Sequence, residues 1–133
     1  MNQLPGIITE ILSEGHLSIV KIEAAGHAFK AIVIDTPQTA PWLKEGNHVE
    51  MLFKENEVVI AKSFSGQISL QNWFESTITS IETGRLLCKV TMDFQGFEIV
   101  SIITANAAIQ LNLTIGDQVT AMVKTNEISF ATT

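Results

Sequence analysis

Cysteine is almost missing from this chain, with Cys88 the only one in 133 residues. A lone thiol permits neither an internal disulfide nor a cysteine metal cluster, and it suits a reducing compartment. Basic residues are scarce too: eight Lys and Arg face fourteen Asp and Glu, a formal charge of −6. Residues 1–66 hold 5 basic against 8 acidic side chains, and residues 67–133 hold 3 against 6. Neither half has the basic stripe that a phosphate backbone requires, so direct nucleic-acid binding is not expected. No apolar run approaches the roughly 20 residues that span a bilayer. The opening Met1-Asn2-Gln3-Leu4-Pro5 lacks the charged start and apolar stretch of a signal peptide, and a cytoplasmic address is expected. His16, His27 and His48 fall on separate turns or strand starts without zinc-ligand spacing. Gly-rich phosphate loops, nucleophile elbows and paired-carboxylate motifs are absent, so no enzyme is expected.

What is present is apolar residues, 46% of the chain, and a repeat. An offset of 70 aligns residues 1–63 with 71–133 without a gap, and 15 of the 63 pairs are identical. Average composition would give roughly four. Ile8/Ile78, Thr9/Thr79, Ile11/Ile81, Gly26/Gly96, Gly46/Gly116 and Lys54/Lys124 are among the matches. The reading is a first lobe at 1–63, a linker at 64–70 and a second lobe at 71–133. Lobes of about 60 residues are marginal alone, so they should lean on each other or on further copies.

In the first copy, strands are expected near Gly6–Leu12, Leu17–Ala24, Ala28–Asp35, His48–Phe53 and Glu57–Lys62, runs rich in Ile, Val and Phe and bounded by turn residues. Glu14-Gly15 and Ala25-Gly26 mark hairpin turns. The segment Thr36–Leu43 suggests a helical turn, and its counterpart Asn106–Leu111 is a better helix, with Asn106 as a candidate N-cap. The expected fold is therefore all-β: two tandem OB-like five-stranded barrels, each with a short helix between strands three and four. Cys88, paired with Ser18, is expected as a small buried residue, and Trp42 and Trp73 as core or interface anchors.

Several strings carry a resemblance: Asn2–Ile8, Ser69-Leu70-Gln71-Asn72-Trp73-Phe74, Ser101–Ala105, Leu111–Val119 and Val123-Lys124-Thr125-Asn126-Glu127-Ile128. In this order, once per copy, they resemble the Mop/TOBE family of molybdate-binding proteins, in its tandem, molbindin-like form. The resemblance implies binding of molybdate or tungstate for intracellular storage, buffering or homeostasis, by lobes that assemble as dimers, trimers or hexamers with anions at subunit interfaces. Alternatives stay open: a ligand-free interaction module, or an ion-sensing partner of a molybdate-responsive transcription regulator. The ligand would be a tetrahedral dianion whose oxygens only accept hydrogen bonds, so a site needs N–H, hydroxyl, amide and cationic donors.

Carried over by resemblance, the family's Ser-x-Arg-Asn string falls on Ser69, Leu70, Gln71 and Asn72, its Lys-Ser/Ala pair on Lys124 and Thr125, and its Thr-x-x-Ser string on Thr104 and Ala107. The candidate anion shell is then Ser69, Gln71, Asn72, Thr104, Lys124 and Thr125, with Lys54 in the first copy. Gln71 replaces an arginine and Ala107 a serine, losses that favour the ligand-free reading. The first copy departs further, with Ile34, Pro37 and Glu55 where the second has Thr104, Ala107 and Thr125. A plain structural role also fits Lys54/Lys124, Asn56/Asn126 and Glu57/Glu127, as a bend between the last two strands.

Overall fold

A computed structural model describes residues 1–131 and contains two five-stranded antiparallel sheets. The strands are β1 (Asn2–Glu14), β2 (Leu17–Ala24), β3 (His27–Val33), β4 (His48–Phe53), β5 (Val59–Ala61), β6 (Asn72–Thr83), β7 (Leu87–Phe94), β8 (Phe97–Thr104), β9 (Gln118–Val123) and β10 (Ser129–Ala131). One helix, α1 (Ala105–Gln110), follows β8, and short 3₁₀ turns at Glu55–Glu57 and Thr125–Glu127 follow β4 and β9.

Burial alternates along β1 and β2 as period-two apolar patterning requires, and the inward residues of both sheets join one core that includes Leu4, Ile8, Phe29, Phe74, Ile78 and Met92. The hairpin turns Ala25-Gly26 and Gln95-Gly96 have positive φ at both central residues, the two-residue geometry that suits twisted strands. Ladder register shifts at Ile8/Glu10 and again at Ile78/Ser80. The skipped residues are the repeated Thr9 and Thr79, whose hydroxyls donate to the carbonyls of Lys21 and Thr91, each at 3.2 Å. These paired bulges bend the first strand of each copy at the same place.

The repeat boundaries do not coincide with the sheets. Strand order is β10-β4-β1-β2-β3 in one sheet and β5-β9-β6-β7-β8 in the other, so each copy lends its last strand to its neighbour. Units 1–63 and 71–133 are units of duplication, and in space residues 59–61 complete the second sheet while 129–131 complete the first. The 3₁₀ turns set this course, leading the chain away from its own sheet: Ser101 of the second copy donates to the Val58 carbonyl just beyond the first turn, at 2.7 Å. Lys62 then anchors the departing segment on the Asp117 carboxylate at 3.0 Å and the Asn112 carbonyl at 2.7 Å.

The opposite edges are clasped. β3 and β8 are edge strands, and a buried asparagine completes each: Asn72 accepts from the Lys30 N–H at 2.7 Å and donates to the Lys30 carbonyl at 2.8 Å. Asn2 makes the same two bonds to Val100, both at 2.8 Å. A side-chain amide thus stands in for a neighbouring strand.

Two expectations need correcting. A helix forms between strands three and four only in the second copy. There Thr104, not Asn106, is the N-cap, accepting from the Ala107 N–H at 3.1 Å. The first copy has Ile34 at the capping position and Pro37 where that N–H would be, so residues 36–43 form consecutive turns instead. Trp73 is 42% exposed, touching Phe64 edge-on, whereas Trp42 packs on the core and on Phe130 of the exchanged β10. Cys88 and its counterpart Ser18 are fully buried.

Removing either clasp leaves an N–H and a carbonyl of an edge strand unpaired in a partly buried setting. Asn72→Ala is expected to lower unfolding stability by about 1–3 kcal/mol, read by chemical denaturation. A loss below measurement error would contradict the clasp.

Candidate functional site

Four of the seven candidates converge. Ser69 and Gln71, at the end of the linker, meet Lys124 and Thr125, at the end of β9, around a crevice of about 240 Å³ whose remaining lining is Ile68 and Leu70. The β6–β9 ladder makes the meeting obligatory: Asn72 lies opposite Val123, so the residues just before one and just after the other are neighbours. Lys124 precedes the 3₁₀ turn with extended backbone, and Thr125 opens it. N–H groups at the start of a helical turn lack acceptors within it. The crevice thus combines two hydroxyls, an amide, an ammonium group and main-chain donors, with no carboxylate in its lining.

The other three stand apart. Asn72 is fully buried with its amide engaged on both sides by Lys30. Thr104 caps α1 and is not among the residues around the crevice. Lys54 lines a different cavity, of about 220 Å³, together with Met1, Glu57, Asn126 and Glu127. In the first copy Met1, Lys54 and Glu55 take the places of Gln71, Lys124 and Thr125, and the amino group of Met1 lies 2.6 Å from the Glu55 carboxylate. That hydrogen bond chiefly holds Glu55 below the usual carboxylate range. The first-copy equivalent of the donor crevice is therefore carboxylate-bearing and internally paired.

At the Lys54 cavity the two 3₁₀ turns bring the repeated Glu57 and Glu127 together. Burial, with Glu57 hydrogen-bonded and negative alongside, raises the Glu127 carboxyl above its usual range, and Lys124 partly opposes this.

Sequence reasoning passed over two residues. Gln71 also lines a second cavity of about 240 Å³, with Glu10, Leu12, Ile19, Lys21 and Lys30. Lys21 lies directly opposite Lys30 in the β2–β3 hairpin. That register was readable, since both residues are equidistant from the Ala25-Gly26 turn, but their closeness to Gln71 was not.

These features define a class: a duplicated, strand-exchanged all-β protein with a donor-lined crevice on its second copy. Residues 68–130 match the TOBE domain model. The molybdenum import ATP-binding protein ModC of Brucella abortus (strain 2308) is 35% identical over 83 residues, which is 62% of this chain, and the ModC of Brucella suis biovar 1 matches equally. The chain spans 23% of the length of these curated relatives. A solved structure of the cytoplasmic molybdate-binding protein ModG, with molybdate bound, superposes with a TM-score of 0.93 at 26% identity, covering 99% of this chain and 96% of that one. The second copy thus matches the TOBE domain, and the chain as a whole is similar in fold to ModG over nearly its full length.

The Glu127 contact gives a pH signature. A carboxyl raised in the folded state stabilises the fold when protonated, a contribution fully present below the unfolded value and lost as pH rises through the folded one. Above pH 4.5 the melting temperature of the parent is therefore expected to fall relative to that of Glu127→Gln. Parallel profiles for the two proteins would refute the carboxylate contact.

Proposed function

We propose that this protein is a non-catalytic binder of molybdate or tungstate, storing or buffering the ion in the cytoplasm, with the second-copy crevice as its anion site. One observation carries the reading: Ser69, Gln71, Lys124 and Thr125 surround one carboxylate-free crevice. An acceptor-only dianion needs such a donor set, and an aquated metal cation would need the reverse. The likeness to ModG supports the choice of ligand. An acidic chain can hold an anion in this way, because hydroxyl, amide and main-chain donors attract it without adding net charge.

Self-association belongs to the same reading. On the outer face of the first sheet Leu12, Ile19 and Ile32 lie opposite one another across β1, β2 and β3, and are 66%, 44% and 37% exposed. The second copy has Glu82 and Lys89 at the first two of these positions. A cross-strand apolar row on one copy alone supports a contact with another chain.

Two measurements test these points. Titration calorimetry is expected to show binding of molybdate and tungstate in preference to sulfate, and Lys124→Met to weaken it by about 10- to 150-fold, the value of one charge-assisted hydrogen bond. Absence of heat with both ions would end the proposal. Light scattering is expected to show an oligomer whose mass falls in the double variant Leu12→Glu, Ile19→Lys, and a parent that is already monomeric would rule out the association.

A further inference from the structure

Resting on the oxyanion reading, we infer that Lys30, with Lys21 beside it, supplies the anion site with the positive charge that Gln71 does not carry. Three of the chain's eight basic side chains line the two cavities that share Gln71: Lys124 in one, Lys21 and Lys30 in the other. In a chain of charge −6 this is a local concentration of cations, and two of its three members have no charged counterpart in the other copy. At the offset of 70, Lys21 and Lys30 correspond to the uncharged Thr91 and Val100.

The placement is rigid. The Asn72 clasp fixes the Lys30 main chain through bonds of 2.7 and 2.8 Å, and Gln71 is the residue next to Asn72. The β2–β3 ladder then places Lys21 directly across from Lys30. Like charges opposite each other in a sheet repel, an arrangement that costs stability unless a negative group answers them. Neither lysine is in an ion pair among the described residues, where the pairs are Met1 with Glu55 and Lys62 with Asp117. Glu10 shares the cavity and is the one carboxylate in its lining, leaving a surplus of one positive charge on these side chains. A tetrahedral dianion held by Ser69, Gln71 and Lys124 would sit at the border of this surplus. The first copy would thus assist the anion site of the second, having no equivalent site of its own.

The test is a cycle of tungstate titrations on the full chain, with molybdate as the second probe. Lys30→Met keeps the main-chain clasp and the apolar stem, so its melting temperature should match the parent's, while its affinity for tungstate should fall about tenfold. Adding Gln71→Arg to Lys30→Met should restore near-parental affinity, a rescue that a merely structural role would not produce. Glu10→Gln should tighten binding severalfold. Binding by the parent that is unchanged in both Lys30→Met and Lys21→Met overturns this inference alone. No binding by the parent overturns the oxyanion reading and the inference together.

Discussion

An edge strand must find partners for its outward N–H and carbonyl groups, and in this protein two asparagine side chains meet that demand. Asn2 and Asn72 each act as one residue of an extra strand, closing β8 and β3 across the boundary between copies. Because the amide of one copy completes the edge of the other, neither sheet is finished alone. The exchanged β5 and β10 repeat this logic at the far edges. Two lobes too small to be comfortable separately therefore share one core, closed at both ends by borrowed hydrogen bonds.

The same constraint builds the site. Asn72 has to reach the first sheet, so the residues just before it, Ser69 to Gln71, are drawn to the junction, and the β6–β9 register places Lys124 and Thr125 beside them. Duplication makes two such junctions, but they have diverged in opposite chemical directions. One gathers donors and cations; the other gathers Glu55, Glu57 and Glu127 around Lys54 and the amino group of Met1. Hydroxyls, an amide and an ammonium group line the first and carboxylates crowd the second, a difference of side chains on a common backbone.

Much of the fold was legible in the residues. Identity at the offset of 70 exposed the duplication, runs rich in Ile, Val and Phe between turn residues located the strands of the first copy, and Ala25-Gly26 marked a hairpin, because these are local properties of a few consecutive residues. The helix of the second copy was legible for the same reason, though its cap was misassigned: a hydroxyl at Thr104 competes equally with Asn106 when only sequence is in view. The clustering of Ser69, Gln71, Lys124 and Thr125 followed from resemblance rather than from any local rule.

Composition and pattern alone determined an all-β, duplicated, acidic chain, since charge balance, internal identity and apolar runs do not depend on how distant segments meet. Only tertiary structure decided that the last strands change places, that Asn72 holds Lys30 rather than facing the crevice, and that Lys21 and Lys30 of the first copy adjoin Gln71 of the second. These facts depend on contacts between residues about 40 or more positions apart, such as Lys30 with Asn72, and such pairings are selected by the shared core and the unpaired sheet edges, which no single stretch of sequence contains.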